Sequence, residues 1–376
     1  MIKRLKIVAD ENMPGLQSLF SDIADIKLAK GREISKDTLL GADALLCRSI
    51  TKANSLLLAN SKIQFVGTAT IGTDHLDIDW LNQNKITWTN AAGCNAPAVG
   101  QYVLSAIAYW CLNSGRAMKE LTVGIIGAGN VGTVLAKYLE LLGINYKLCD
   151  PPLQEKGDKR SFDTLDSILN CNVISIHVPL IEENYLTNVN NHPTHYLISK
   201  SNLKKLRDNQ LLINASRGAV INNQDLDDYL KTPNAASIIL DVFENEPNVR
   251  TSLVKNCLLA TPHIAGHTLE GKLRGSWLVY LAFCKRFGIK VNKQEFDLYP
   301  NKNTADLSNL SLEKSILVLY DIFSDSKQFQ ELADYRLAQE FDHLRKNAVL
   351  LSSGVTRRDY NGWNIENDSS NLQYLK

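Results

Sequence analysis

The sequence has no excess of either charge, no cysteine pair at metal-ligand spacing and no long apolar run. Its 41 basic and 40 acidic side chains leave a formal net charge of +1, which gives no support for the broad electropositive surface that nucleic acid selects. The seven cysteines stand apart, at positions 47, 94, 111, 149, 171, 257 and 284. Without a CxxC pair, free thiols in a reducing compartment are a simpler reading than a zinc ribbon or a disulfide framework. No HExxH helix accompanies the histidines, so no metal is expected. The opening MIKRLKIVAD turns acidic before a signal-peptide core develops, and no stretch reaches membrane-spanning length. The expectation is a cytoplasmic protein that binds neither nucleic acid nor membrane. Internal repeats and low-complexity tails are missing as well.

What is present is an ordinary globular composition, 44% apolar and 22% charged, over 376 residues. That length exceeds what one core usually fills, so two or three domains are expected. Residues 5–100 carry short β-favouring runs at 5–10, 24–29, 44–49, 65–70 and 86–91. Their near-continuous apolar character suits strands covered on both faces, as in a parallel α/β sheet. A helix is expected over 97–116, with Pro97 near its start, where a missing N–H costs little. Further strands are legible at 121–127, 146–150, 173–178, 211–216, 236–242 and 257–263. Helical segments at 131–143, 164–170, 201–208 and 223–231 fall between several of them. Six strands with such crossovers fit a doubly wound, Rossmann-type nucleotide domain. A third region begins near residue 286, with an apolar helical stripe at 311–323, a charged helix at 337–348 and a candidate strand at 348–355.

The strongest local signal is GAGNVG, residues 127–132, which follows one β-like run and opens a helical pattern. Gly127 permits a tight turn, Gly129 removes the Cβ that would block a pyrophosphate, and Gly132 allows close helix–strand packing. The helix N-terminus, beginning at Asn130 and Val131, offers N–H groups to phosphates. Asp150 ends the next strand. It can accept hydrogen bonds from both ribose hydroxyls and repel a 2′-phosphate, which favours NAD over NADP; a plain turn aspartate before Pro151-Pro152 is the alternative.

Three further residues fall at successive strand ends in the same domain: Arg217, Glu246 and His263. Carboxyl ends of parallel strands share one crevice, so these residues converge if the sheet is as read. Histidine holds or releases an alcohol proton near neutral pH. A carboxylate partner orients the ring, and an arginine binds an oxygenated anionic substrate through a fork of donors. The alternatives are a strand-terminal salt bridge for Arg217, a turn boundary for Glu246-Pro247 and a structural histidine for His263. His177 and His267 also lie near strand ends and are weaker candidates. His75 reads as structural, with Asp74 and Asp77 as nearby partners. In the first domain, 48–52 places Arg48, Ser49, Thr51 and Lys52 beyond a strand, and 67–75 adds Thr70 and backbone N–H groups. Together these loops can cradle a carboxylate or phosphate.

Taken together, DENMP (10–14), RSITK (48–52), FVGTATIGTDHLD (65–77), AAGCNAPAV (91–99), VGIIGAGNVG (123–132), LCDPP (148–152), INASRGAVI (213–221), LDVFENEP (240–247) and HIAGHTLEGK (263–272) make the chain resemble the D-isomer-specific 2-hydroxyacid dehydrogenases end to end. The first-domain loops and the long tail point to a subgroup acting on a phosphorylated 2-hydroxy acid. The resemblance implies Arg217, Glu246 and His263 as a catalytic trio, with His263 taking the hydroxyl proton as the substrate is oxidised. It places NAD near Gly127, Gly129, Asn130, Val131, Gly132, Asp150, Val178, Ala215, Ser216, Arg217, Asp241 and Gly266. Substrate is implied near Arg48, Ser49, Lys52, Thr70 and His267. Position 267 departs from the subgroup, which has a substrate-contacting tyrosine there. The resemblance also implies a discontinuous flavodoxin-like substrate domain (1–97 and 268–285), a nucleotide domain (98–267) and an α+β dimerisation domain (286–376), hence a homodimer. Two other readings stay open: another D-2-hydroxyacid dehydrogenase, or a non-catalytic NAD-sensing corepressor or scaffold on the same fold.

Overall fold

Runs that are apolar at every position need cover on both faces, and the chain meets that need twice. The computed structural model describes residues 4–183, 192–332, 334–349 and 356–376. Its contacts divide the chain into two compact units, residues 1–95 with 269–301 and residues 96–268 with 302–376.

The first unit holds five parallel strands, β1 (Leu5–Asp10), β2 (Ala24–Ala29), β3 (Ala44–Cys47), β4 (Phe65–Thr68) and β5 (Thr87–Asn90), in the order β2-β1-β3-β4-β5. That is the flavodoxin-like order. Successive side chains on a strand point to opposite faces. Ile7, Leu46 and Phe65 therefore pack with Val279 and Phe283 of helix Leu269–Phe287, while Val8, Leu45 and Val66 pack with Leu58 and Leu81.

The second unit has six parallel strands, β6 (Thr122–Ile126), β7 (Asn145–Cys149), β8 (Val173–Ile176), β9 (Leu211–Asn214), β10 (Ser237–Leu240) and β11 (Leu259–Ala260). Their order, β7-β6-β8-β9-β10-β11, reverses direction between β6 and β8. Such a switch point is where doubly wound sheets bind ligands. Helices Ala96–Ser114 and Asn130–Leu141 cover one face through Val103, Ile107, Leu135 and Leu139; Ile168, Leu203, Leu226 and Leu253 cover the other.

Two elements are much shorter than their patterns predict, and a third is divided. The run 257–263 yields only Leu259–Ala260 as strand, because Pro262 brings no N–H to continue the ladder. The run 201–208 is helical only over Lys200–Leu203, and the Gln210 side chain takes the Arg207 N–H at 2.7 Å. The stripe at 311–323 forms two helices, Leu312–Leu319 and Ile322–Gln330, because the Asp321 carboxylate caps the second at Phe323 (3.1 Å) and Ser324 (3.3 Å). The charged helix runs Leu337–Asn347, and the candidate strand at 348–355 lies, beyond Val349, outside the described residues.

The tail adds two parallel strands, β12 (Asn303–Asp306) and β13 (Trp363–Glu366). Its apolar stripe is used within the chain: Leu312, Ile316 and Leu319 are buried in the same cluster as helix Ala96–Ser114. The second tail helix docks on β11, where the Ser326 hydroxyl accepts the Ala260 N–H at 2.9 Å and Gln330 donates to the Val254 and Cys257 carbonyls at 2.8 and 2.9 Å. These bonds explain why 302–376 group with the nucleotide unit, while 286–301 group with the first. Among the described residues no helix is long and apolar enough to cross a membrane.

Candidate active site

All six strands β6 to β11 run parallel in one sheet, so their carboxyl ends lie along one edge. Read from β11 to β7, the loops leaving that edge carry His263, Glu246, Arg217, Val178, Gly127 and Asp150. A cavity of about 370 Å³ opens among Arg217, Gly218, Phe243, Glu246, His263 and Tyr196.

The glycine turn is built as its spacing predicts. Gly127 sits at φ +91°, and a Cβ there would come within 2.6 Å of the His177 carbonyl oxygen, just past β8. A Cβ on Gly132 would lie 2.0 Å from the Gly127 oxygen, so helix Asn130–Leu141 packs directly on its turn. Gly129 faces open space, with nothing within 4 Å of a Cβ placed there. The cleared approach, at a helix start whose N-cap makes no side-chain bond, fits a pyrophosphate on the first-turn N–H groups. Asp150 does two jobs. One carboxylate oxygen caps the helix that follows at Leu153 (3.0 Å), and the other accepts the Ala128 N–H at 2.8 Å. A carboxylate has lone pairs beyond these two bonds, so ribose hydroxyls remain acceptable partners. Arg160, which the sequence reading missed, ties the same turn by donating to the Ala128 oxygen at 3.0 Å and the Thr133 hydroxyl at 2.8 Å.

Further along the same edge lies a hydrogen-bonded histidine–carboxylate pair. His263 Nδ1 and Glu246 Oε2 are 2.7 Å apart, and Glu246 Oε1 accepts the Phe243 N–H at 3.0 Å. A carboxylate only accepts, so in the neutral ring Nδ1 carries the proton and Nε2 keeps its lone pair for a substrate hydroxyl. Burial works against the Glu246 anion, but the hydrogen bond and charge of His263, with the Phe243 N–H, outweigh it and hold its carboxyl below the ordinary range. The sign follows from linkage. A depressed folded-state value adds stability above the ordinary carboxyl range and loses it as the pH falls through the folded value. The melting temperature of the wild type is expected to exceed that of Glu246→Gln at neutral pH, with the gap closing as the pH falls below the ordinary carboxyl range. A gap that stays constant from neutral to acid would refute the ionised pair.

Arg217 reaches this edge from β9. Asn214 at the strand end holds its loop, taking the Ser216 N–H (3.1 Å) and hydroxyl (2.8 Å) and donating to the Arg217 carbonyl at 3.0 Å. The next residue must be glycine: a Cβ on Gly218 would sit 1.9 Å from the Phe243 carbonyl carbon. Asp241, buried at the end of β10, spends its carboxylate on Thr261 Oγ1 (2.7 Å) and on the N–H groups of Ile264 (2.7 Å) and Ala265 (2.9 Å). Its burial raises its pKa. Ala215 and Ser216 follow β9, and Gly266 and His267 follow the His263 turn, where the His267 N–H bonds the Ile264 carbonyl at 2.8 Å.

His177, one of the weaker candidates, and His75, read as structural, both take packing roles. His177 pairs with the Ser175 hydroxyl at 2.8 Å, and burial pushes it down to about 3, so it stays neutral. His75 feels the Asp74 charge, but the hydrogen bond of its ring goes elsewhere. Its Nε2 meets Thr68 Oγ1 at 2.9 Å, and Thr68 meets Thr70 Oγ1 at 2.7 Å, while Asp77 caps a helix at Trp80. In the same first unit Arg48 donates to the Asn12 carbonyl at 3.1 Å, and Ser49 and Lys52 are exposed. Thr51 is buried on the Gly31 carbonyl instead. Lys272 was not singled out by sequence, yet burial and then the Arg48 charge lower it to about 8. Two cations in that relation favour an anionic partner. Among the described residues no three His, Cys, Asp or Glu converge on a metal position.

Residues 108–265 match the family model for the D-isomer specific 2-hydroxyacid dehydrogenase, NAD binding domain. The erythronate-4-phosphate dehydrogenase of Tolumonas auensis is 39% identical over 379 residues, 99% of this chain and 98% of that one. That of Shewanella loihica is 43% identical over 349 residues, 91% of each chain. In fold, the chain is similar to a cofactor (NAD+) bound 3-phosphoglycerate dehydrogenase of Entamoeba histolytica, with TM-score 0.60 and 23% identity over 77% of this chain and 99% of that one. Full-length kinship, the glycine turn and the His–Glu–Arg edge converge: the chain belongs to the D-isomer specific 2-hydroxyacid dehydrogenases, a family of NAD-binding oxidoreductases.

Proposed function

We propose that the chain oxidises 4-phospho-D-erythronate at C2, giving (R)-3-hydroxy-2-oxo-4-phosphooxybutanoate, a step in pyridoxal 5′-phosphate synthesis. The observation that carries the chemistry is the 2.7 Å His263–Glu246 pair on the same sheet edge as Arg217 and the glycine turn. The substrate comes from the relatives, which are named for erythronate 4-phosphate over nearly the whole chain. Bound NAD supplies the acceptor for the hydride that leaves C2. His263 Nε2 takes the C2 hydroxyl proton as the carbonyl forms. Glu246 stabilises the resulting imidazolium, and Arg217 binds the carboxylate and the developing carbonyl oxygen. Arg48, Ser49, Lys52, Thr70 and His267 are the proposed substrate contacts, joined by Lys272 beside Arg48. Asn130, Val131, Val178, Ala215, Ser216, Asp241 and Gly266 are the proposed cofactor contacts beside the glycines and Asp150.

The test is a panel of 4-phospho-D-erythronate, 3-phosphoglycerate and D-lactate, each with NAD and with NADP, read by formation of the reduced cofactor. The expected result is a preference for 4-phospho-D-erythronate with NAD by about 10²-fold in kcat/KM. Faster turnover of 3-phosphoglycerate or D-lactate would move the chain to another dehydrogenase of the family. NADH binding without turnover of any of them would make it a sensor or scaffold.

A homodimer is proposed as well, supported by apolar side chains left exposed on packed helices. They are Leu112, Val318 and Phe323, the last stacked on Tyr109. Light scattering is expected to give twice the chain's 41.9 kDa. A cytoplasmic site is proposed because all seven cysteines are buried free thiols; cell fractionation tests it.

A further inference from the structure

His263 stands at φ +57°, a backbone region that residues other than glycine enter only when something holds them there. The two peptide groups that follow are held from both sides. Asp241 accepts the N–H groups of Ile264 and Ala265 at 2.7 and 2.9 Å. Arg357, from the far end of the tail, donates to the carbonyls of the same two residues at 2.5 and 3.1 Å. Arg357 is only 1% exposed, and its guanidinium lies 3.9 Å from the ring centre of Tyr320, whose hydroxyl bonds Asp325 at 2.8 Å. A planar fork is the one cationic side chain that spans two successive carbonyls, and its bonds to them are charge-assisted.

We propose that Arg357 is a positioning residue for the reaction, the tail's clamp on the turn that aims His263 at Glu246. Asp241 and Arg357 bind all four polar backbone groups of residues 264 and 265, so the turn cannot relax to a commoner backbone without breaking charged bonds in a buried place. The inference gives the tail a part in catalysis that does not depend on a second subunit. It rests on the dehydrogenase reading of His263 and Glu246.

The test compares the full-length wild type with Arg357→Met and Arg357→Lys. Methionine keeps an unbranched stem without donors; lysine keeps the charge but not the fork. Arg357→Met is expected to lower kcat by about 10²-fold, the scale of an ångström's misplacement, and Arg357→Lys by about tenfold. NADH affinity and the substrate KM are expected to stay within about twofold in both, because only the transition state needs the aimed ring. The downfield proton resonance of the His263 Nδ1–H bond is expected in the wild type and lost or shifted in Arg357→Met. A folded Arg357→Met with wild-type kcat, or with NADH binding lost in proportion to kcat, overturns the proposal. If Arg357→Met does not fold, Arg357→Lys decides by the same two criteria. If the wild type turns over no 2-hydroxy acid, the functional reading fails on its own. The resonance then still decides the clamp, and an unchanged signal in the variants rejects it.

Discussion

Replacing His263 with alanine is expected to lower kcat on the order of 10³-fold while NADH still binds with wild-type affinity. The ring is placed to take a hydroxyl proton on the edge that carries Arg217: its Nδ1 is committed to Glu246 at 2.7 Å, which leaves Nε2 with a lone pair. The glycine turn and Asp150 lie further along the edge on other loops, so cofactor binding does not pass through the imidazole. The substitution also strands a carboxylate. Burial pushes Glu246 up, and His263 is first among the groups that bring it back down, so without the ring the Glu246 carboxyl rises. In the proposed mechanism Glu246 acts through His263, which predicts non-additivity. Glu246→Gln alone is expected to cost about 10–10² in kcat, and the double variant no more than His263→Ala alone. Steady-state assays with fluorescence titration of NADH decide the matter. Turnover of His263→Ala within tenfold of wild type removes the residue from proton transfer, and an additive double variant removes Glu246 from its supporting part.

The features legible in the sequence are those whose cause is local or repeats with the strand. The glycine turn is one, because its three glycines, strand and helix are contiguous. The trio is another, because each member ends an apolar run, and parallel strands bring such ends to one edge. The misreadings share a different cause. His75 has two aspartates close in sequence, yet its partner is Thr68, at the end of β4. Asp321 lies inside an apolar stripe whose period carries through it, and only its capping bonds show that one helix stops and another begins. Arg357 is invisible to pattern reading, since the carbonyls it holds are some ninety residues earlier in the chain. The separate tail domain is an implication of the resemblance, and what no pattern shows is how the tail is fastened: Ser326 bonds Ala260 on the edge strand β11, and Gln330 bonds Val254 and Cys257 just before it.

Gly218→Ala is expected to be among the most damaging single-methyl changes in the molecule. A Cβ there would lie 1.9 Å from the Phe243 carbonyl carbon, 2.0 Å from its oxygen and 2.5 Å from the Glu244 N. All three are backbone atoms, so no rotamer relieves the overlap; the Arg217 loop and the 243–246 loop must move apart by more than an ångström. Overpacking of that kind costs about 1–3 kcal/mol in stability. A displacement on that scale between Arg217 and Glu246 costs about 10²-fold in kcat. Gly129→Ala is the control, because it has the same chemistry and the opposite surroundings. Its φ of −70° suits any residue and nothing lies within 4 Å, so the fold has no reason to weaken. The added methyl instead enters the space reserved for the pyrophosphate, and KM for NAD is expected to rise about tenfold or more with the melting temperature unchanged. The two alanines thus separate the two halves of the edge. One is expected to lower melting temperature and kcat with cofactor affinity nearly kept, the other to lower cofactor affinity alone. If Gly218→Ala melts and turns over like the wild type, the close approach of the Arg217 and Glu246 loops is not what holds the trio together.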